Sequence, residues 1–471
     1  MHIEKQLGKY QADPAITSLS DWLGAEVAAA DFPETQLRFR NDIAASSVGL
    51  ADLSDAQWTQ HFGRFDPLPD NLPSPLALKY HGHQFRVYNP DIGDGRGFLF
   101  AQMRGADERL MDLGTKGSGQ TPFSRAGDGR LTLKGAVREI LATEMLEALG
   151  VNTSKTFSVI ETGEKLWRDD EPSPARSAVM VRLSHSHIRI GTFQRLLAHE
   201  ETRQMEALVD YCLSHFPGPM PPKDAPGRDE PAIILMHQVV ERMADLAASY
   251  MVAGFVHGVL NTDNMNITGE SFDYGPWRWL PRWDPSFTAA YFDHSGLYAF
   301  GRQPEALNWN CGQFAVALRL IADSEPLIAA LQRFPELYMA AVARRWCWRL
   351  GIASKGTETD TQLVASSEQA MRESAASPDA FFFTHRGGRS LDQLSTECAD
   401  ILSGYSPIVS DHDYWNADHP QSLQIEEVET IWSAIADHDN WSPLQAKVRD
   451  LRTMKDAYGA SPTAQGHPDP R

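Results

Sequence analysis

The sequence predicts an α+β fold in which a strand-rich part is followed by a linker and then by a helical part. Between Leu76 and about Phe193, short strand-like runs alternate with Gly-rich turns, among them GFLFAQM (97–103) and AVMVRL (178–183). Between those runs Leu133, Val137, Ile140, Leu141, Met145 and Leu149 keep the spacing of one helix, with Gly150 as its C-cap. One helix among strands implies a small α+β unit. Beyond the Pro/Gly-rich PGPMPPKDAPGRDEP (217–231) the text turns helical. It begins with ILMHQVVERMADLAASYMVAGFVHG (234–258), which is apolar enough to be a buried helix.

In chain order, residues 1–75 form an N-terminal extension with weak local signals, 76–230 the strand-rich lobe and linker, and 231–471 the helical lobe with a C-terminal extension. Further helices are expected at 305–323, 327–350 and 424–437, and the tail SPTAQGHPDPR (461–471) reads as disordered. The 471 residues, 42% of them hydrophobic, suffice for a large core. A net charge of −19, from 43 basic and 62 acidic residues, argues against a nucleic-acid partner. It still admits an anionic small molecule if cations gather in one cleft. Cys212, Cys311, Cys347 and Cys398 are scattered, with neither zinc nor disulfide spacing. The N-terminal text shows no apolar signal region, and the longest apolar stretch, Leu246–Val256, falls short of the roughly 20 residues that span a bilayer. The expected location is cytoplasmic, with no membrane partner.

Three segments can receive anions. DIGDGRGFLF (91–100) places Gly93, Gly95 and Arg96 before a strand. Such a loop can cradle a ligand with its N–H groups, although on this segment alone an ordinary Asp-Gly hairpin turn is the simpler explanation. GTKGSGQTPFSRAGDGR (114–130) sets Lys116 among glycines and repeats Asp-Gly-Arg at Asp128, Gly129 and Arg130. Glu139 follows Lys116 by 23 residues on the predicted helix, the arrangement in which a helical glutamate orients a phosphate-binding lysine. RLSHSHIRIG (182–191) holds Arg182 and Arg189, whose guanidinium forks suit phosphate. An odd separation puts them on opposite faces of a regular strand, so only an intervening turn lets both reach one cleft. His185 and His187 lack a third ligand nearby and read as structural or surface residues.

VHGVLNTDNMNITGESFDYGPW (256–277) concentrates Asn261, Asp263, Asn264 and Asp273. Carboxylate and amide oxygens suit Mg²⁺ or Mn²⁺. Asn264 and Asp273 can serve as metal ligands while Asp263 accepts a proton from an attacking hydroxyl. The order of Gly loop, lysine, helical glutamate, buried helix, polar loop and Asp-Tyr-Gly is that of protein kinases. Here, though, Asn264 directly follows Asp263 instead of lying five positions later.

YHGHQF, GDGR, TKGSGQTPFSRAGDGR, REIL, RLSHSHIRIGTF, HGVLNTDNMNITG and FDYGP together resemble the selenoprotein-O family of protein-kinase-like AMP transferases, formerly called pseudokinases. The resemblance covers about Tyr80 to Pro304. It implies a protein-kinase-like bilobed fold with family-specific extensions, ATP bound in reversed orientation, and AMP transfer to Ser, Thr or Tyr hydroxyls of proteins, the chain itself among them, with pyrophosphate leaving. By the same resemblance Lys116 contacts phosphate and pairs with Glu139. Gly93, Gly95, Arg96, Asp128, Gly129, Arg182, Arg189 and Asp273 bind the nucleotide, Asp263 is the base, and Asn264 and Asp273 hold Mg²⁺ or Mn²⁺. Two departures stand out. Arg86 replaces the last glycine of the usual GGHQFG, and the C-terminal Cys or selenocysteine motif of many members is absent. The alternatives are a protein kinase that transfers the γ-phosphate and a non-catalytic nucleotide-binding pseudokinase.

Overall fold

The computed structural model describes residues 9–169 and 171–462. The expectations for the extreme N-terminus (1–8) and for the tail from 463 onward lie outside the described residues. The fold is mixed α/β. One antiparallel eight-stranded sheet is built from β1 (Gly24–Glu26), β2 (Gln36–Arg40), β3 (Leu76–Leu78), β4 (Leu99–Arg104), β5 (Leu110–Lys116), β6 (Leu131–Thr132), β7 (Lys155–Leu166) and β8 (Ala175–Ser184). Its order is β1-β3-β4-β5-β8-β7-β2, with β6 also paired to β8. The two predicted strands are present as β4 and β8. Residues before position 75, weakly patterned in sequence, supply both edge strands, β1 and β2.

The sheet sorts side chains by the two-residue period of a strand. Val179, Val181 and Leu183 of β8 face a core with Trp58, Phe62 and Phe157, whereas Ala178 and Met180 face the opposite core. Arg182 continues the second set. In the antiparallel register Lys116 lies opposite Met180 and Gly114 opposite Arg182. Lys116 and Arg182 therefore emerge on the same face of the sheet.

That face is covered by α1 (Leu133–Ala148). The Thr132 hydroxyl caps its N-terminus by accepting from the Gly135 N–H at 3.2 Å. Its C-terminus closes in a Schellman motif: Gly150, at φ +71°, donates to the Glu147 carbonyl, and Val151 donates to that of Leu146. The predicted stripe is buried. The helix Ser442–Tyr458 packs on the far side of α1, tied by Arg452 to Glu144 at 2.5 Å and by Lys455 to Glu147 at 2.6 Å.

After α2 (Ile190–Ala198) and a further helix at Thr202–His215, the long buried helix α3 runs Pro231–Ala253 rather than 234–258. Pro231 stands at its first turn, where no N–H is needed. Gly254, in the left-handed region at φ +67°, ends it. The apolar residues beyond continue as a strand, Phe255–Val256, paired with Arg278–Trp279. This two-stranded ribbon staples both ends of the 257–277 loop. The expected helix at 327–350 is two helices, Ser324–Leu331 and Phe334–Leu350, the second opening with Pro335 in its first turn. Those at 305–323 and 424–437 are Gln303–Leu318 and Ile425–His438. Among the described residues no helix is long and apolar enough to cross a membrane.

Candidate active site

The loop after Val256 is tied down from several sides. His257 is fully buried, and burial lowers its imidazole to about 4, so it is neutral. Its Nε2 faces the Phe272 carbonyl at 3.3 Å and its Nδ1 faces the Val259 N–H at 3.4 Å, which assigns the proton to Nε2. A single 3₁₀ turn, Thr262–Asn264, then presents Asp263. The short hairpin of strands Gly82–Gln84 and Val87–Asn89 lies against it. The Thr262 hydroxyl accepts from the His83 N–H at 2.7 Å and donates to Gln194 of α2 at 2.7 Å. The Asn261 side-chain carbonyl accepts from the Phe85 N–H at 3.0 Å and from the Tyr298 hydroxyl at 2.7 Å. Asn261 is thus a loop-shaping residue.

Asp263 is buried, its Oδ1 has no partner, and desolvation raises its carboxyl to about 6 despite the opposing Arg189 charge. Asp273 shows the opposite behaviour. Burial alone would raise its carboxyl, but Arg182, Arg189 and Lys116 outweigh that and hold it well below the usual carboxylate range. Arg182 donates to one carboxylate oxygen at 2.6 Å and Arg189 to the other. Asp273 sits in the left-handed region at φ +52°, which Asp tolerates better than most side chains.

Arg189 is the hub of the site. It also donates to the Asp263 carbonyl at 2.7 Å and to the Asp94 carboxylate at 3.2 Å. Its guanidinium stacks on Tyr80 at 4.5 Å and Phe272 at 4.6 Å. The strand ends at Ser184 and the chain turns before α2, so Arg182 and Arg189 reach one carboxylate despite their odd separation.

Lys116, buried at the end of β5, pairs with Glu139 of α1. Desolvation, with the Arg96 charge next, lowers its ammonium well below the usual lysine range. Asn264 donates to the Asp273 carbonyl at 3.4 Å, so the two lie side by side. The structure thus gathers Lys116, Glu139, Arg182, Arg189, Asp263, Asn264 and Asp273. In a chain of charge −19, three of its cations meet in one cleft.

The glycines play a different part. A side chain at Gly93 would come within 2.6 Å of the Phe123 ring, and one at Gly95 within 2.9 Å of the Phe123 carbonyl. Both let the 121–124 loop fold over the 91–96 turn. Gly129, at φ +70°, lies against Gly119, where a Cβ would come within 2.2 Å of backbone. Asp128 is not drawn to Asp273. It is exposed, pairs with Arg168 at 2.8 Å, and lines a cavity of about 680 Å³ with Gln120, Arg130, Glu164 and Lys165. Arg96, exposed, lies in the charge field of both Asp273 and Arg168 and so connects the two regions.

His185 and His187 are both structural. His185 faces the Leu110 carbonyl at 2.7 Å, and His187 faces Asp112 at 3.1 Å. Arg86 acquires a role: it adopts φ +64° in the Phe85–Arg86 hairpin turn, where glycine would be unstrained, and pairs with Glu305 at 2.7 Å above the Trp309 ring. Sequence reasoning missed Asp94 and Tyr80, which hold Arg189. Asp94 lies in the Asp-Gly turn of the 91–100 segment, and nothing local marks a turn aspartate as an arginine anchor. All four cysteines are buried and unpaired.

A buried carboxylate oxygen without a partner, beside paired arginines and an ion-paired lysine, is an arrangement suited to phosphate chemistry of the nucleotidyl- or phosphoryl-transfer class. Comparison with known proteins narrows the class. The family profile described as "Protein adenylyltransferase SelO" matches residues 6–452, and the chain belongs to that family. A protein nucleotidyltransferase YdiU of Synechocystis is 42% identical over 478 residues, covering 94% of this chain and 98% of the relative. Its namesake in Synechococcus elongatus is 41% identical over 492 residues, covering 95% and 96%. The one in Trichodesmium erythraeum is 41% identical over 460 residues, covering 92% and 96%.

Proposed function

We propose that this nucleotidyltransferase moves AMP from ATP to a Ser, Thr or Tyr hydroxyl of a protein, its own chain included, on a kinase-like bilobed scaffold in the cytoplasm. The observation that carries the reading is the buried Oδ1 of Asp263, which has no hydrogen-bond partner, while each oxygen of the neighbouring Asp273 is held by an arginine. Asp263 takes the proton of the acceptor hydroxyl, whose oxygen attacks the α-phosphorus. The bond from that phosphorus to the bridging oxygen breaks, and pyrophosphate leaves with the electron pair. Lys116, Arg182 and Arg189 receive the phosphate charge and exchange their carboxylate partners for it. The charge of the triphosphate also restores the Lys116 ammonium that burial disfavours.

Asn264 and Asp273 are the residues that would hold Mg²⁺ or Mn²⁺. A carboxylate beside a carboxamide is a hard donor set, and each Asp273 oxygen keeps a second lone pair beyond its arginine. Among the described residues no three His, Cys, Asp or Glu side chains converge as a metal cage. A cation here would therefore complete its shell with phosphate oxygens and water. When bound, it would neutralise charge that develops on the phosphates. The test is pyrophosphate release in the presence of acceptor protein. Wild type should release it in step with modification, and Asp263→Asn should not. ADP as the accumulating product would sink the reading.

A further inference from the structure

We infer that Gln84 is a positioning residue for Asp263, and that the Gly82–Asn89 hairpin exists to aim that carboxylate; this rests on the proposed role of Asp263 as base. The Gln84 side-chain carbonyl accepts from Asn89 Nδ2 at 2.9 Å, and Asn89 is itself fixed by accepting from the Asp91 N–H at 2.9 Å. With its carbonyl occupied, Gln84 turns its NH₂ toward Asp263 and reaches Oδ2 at 3.5 Å. A contact this long before substrate binds is typical of catalytic hydrogen bonds that tighten in the complex. Oδ2 is thereby held and Oδ1 is left without a partner for the acceptor hydroxyl.

The rest of the hairpin fits this purpose. A Cβ at Gly82 would stand 2.9 Å from Asp263 Oδ1 and 3.0 Å from its Cβ, so only glycine lets the strand pass this close. The backbone N–H groups of His83 and Phe85 fix Thr262 and Asn261, the two residues before the base. His83 Nδ1 meets Gln194 Nε2 at 2.7 Å, and burial lowers its imidazole, so it accepts there as a neutral ring. Gln194 is thereby locked to both Thr262 and the hairpin. Neither Gln84 nor Gly82 touches Lys116, Arg182 or Arg189 among the hydrogen bonds of the site, so nucleotide binding should not depend on them.

Gln84→Met keeps the length of the side chain and removes the amide. The expected result is a fall in kcat for α-phosphate transfer of about tenfold, the scale of one lost positioning contact, with KM for ATP and the melting temperature unchanged. Gly82→Ala should lower kcat in the same way, again with ATP affinity kept. A Gln84→Met enzyme with wild-type kcat overturns the inference. So does one whose kcat, ATP affinity and melting temperature fall together, because that pattern marks a general structural role. If the wild-type chain transfers no label at all, the proposed base chemistry fails and the inference fails with it. If wild type is active and only the Gln84 result is negative, the inference alone fails.

Discussion

Replacing Arg189 by Met tests the site at its hub. The methionine stem keeps most of the packing between Tyr80 and Phe272 but leaves two carboxylates, the buried Asp94 and the part-buried Asp273, without their shared cation. Breaking a buried ion pair by removing one partner costs about 3–5 kcal/mol. Asp273 keeps Arg182, so the lower end, about 3 kcal/mol, is expected, still a large share of the roughly 5–15 kcal/mol of a typical fold. A second substitution, Asp94→Asn in the Arg189→Met background, removes the carboxylate left without a cation and should recover about 1 kcal/mol or more, as coupled neighbours do. Urea melts of wild type, the two single variants and the double variant read this directly. ATP affinity should fall about a hundredfold in Arg189→Met, the loss of one buried, bidentate-capable guanidinium. An Arg189→Met chain with the wild-type urea midpoint, or strictly additive effects in the double variant, would refute the hub.

Further predictions follow from neighbouring groups. A carboxyl raised to about 6 at Asp263 is the active base only above that pH, so log kcat should drop as pH falls through about 6; an inflection near 4 would contradict the burial of Asp263. Asp273→Ala should abolish transfer while the chain stays folded, checked by circular dichroism, because the carboxylate that would hold the metal is lost and the phosphate charge goes uncompensated. Glu139→Gln removes the charge that pairs Lys116 and should lower kcat/KM for ATP about 10–100-fold, measured by initial rates. Gly254→Ala forces φ +67° on an L side chain and drives its Cβ to 2.7 Å from Pro378. It should cost about 1–3 kcal/mol in thermal melts.

The parts of this architecture that were legible in the sequence are those set by local rules. The 131–150 stripe and its glycine cap became α1 because periodicity and a Schellman end are written within one turn of each other. Lys116 and Glu139 could be singled out by glycine flanks and a 23-residue spacing, and Asp263 and Asp273 by a cluster of short polar side chains directly after an apolar helix. What escaped was long-range. The edge strands β1 and β2 pair with residues more than 35 positions away and are too short to show a pattern. Hydropathy stays high where the chain turns from helix to ribbon, so the helix expected over 234–258 runs past Gly254, where α3 ends. The 350–420 region held helices such as Thr357–Ser374, whose polar outer face blurs the stripe. Asp94 anchors Arg189 only because the fold folds them together, and Arg86 is explained only by Glu305 and Trp309, more than two hundred positions downstream.

The central claim is which phosphorus meets the acceptor hydroxyl. Incubating the chain and acceptor proteins with ATP labelled at the α-phosphate, and in parallel with ATP labelled at the γ-phosphate, separates the possibilities in one experiment. Incorporation of α label, with none from γ and none in Asp263→Asn, is the predicted result. Incorporation of γ label alone would contradict it and assign the chain to phosphoryl transfer.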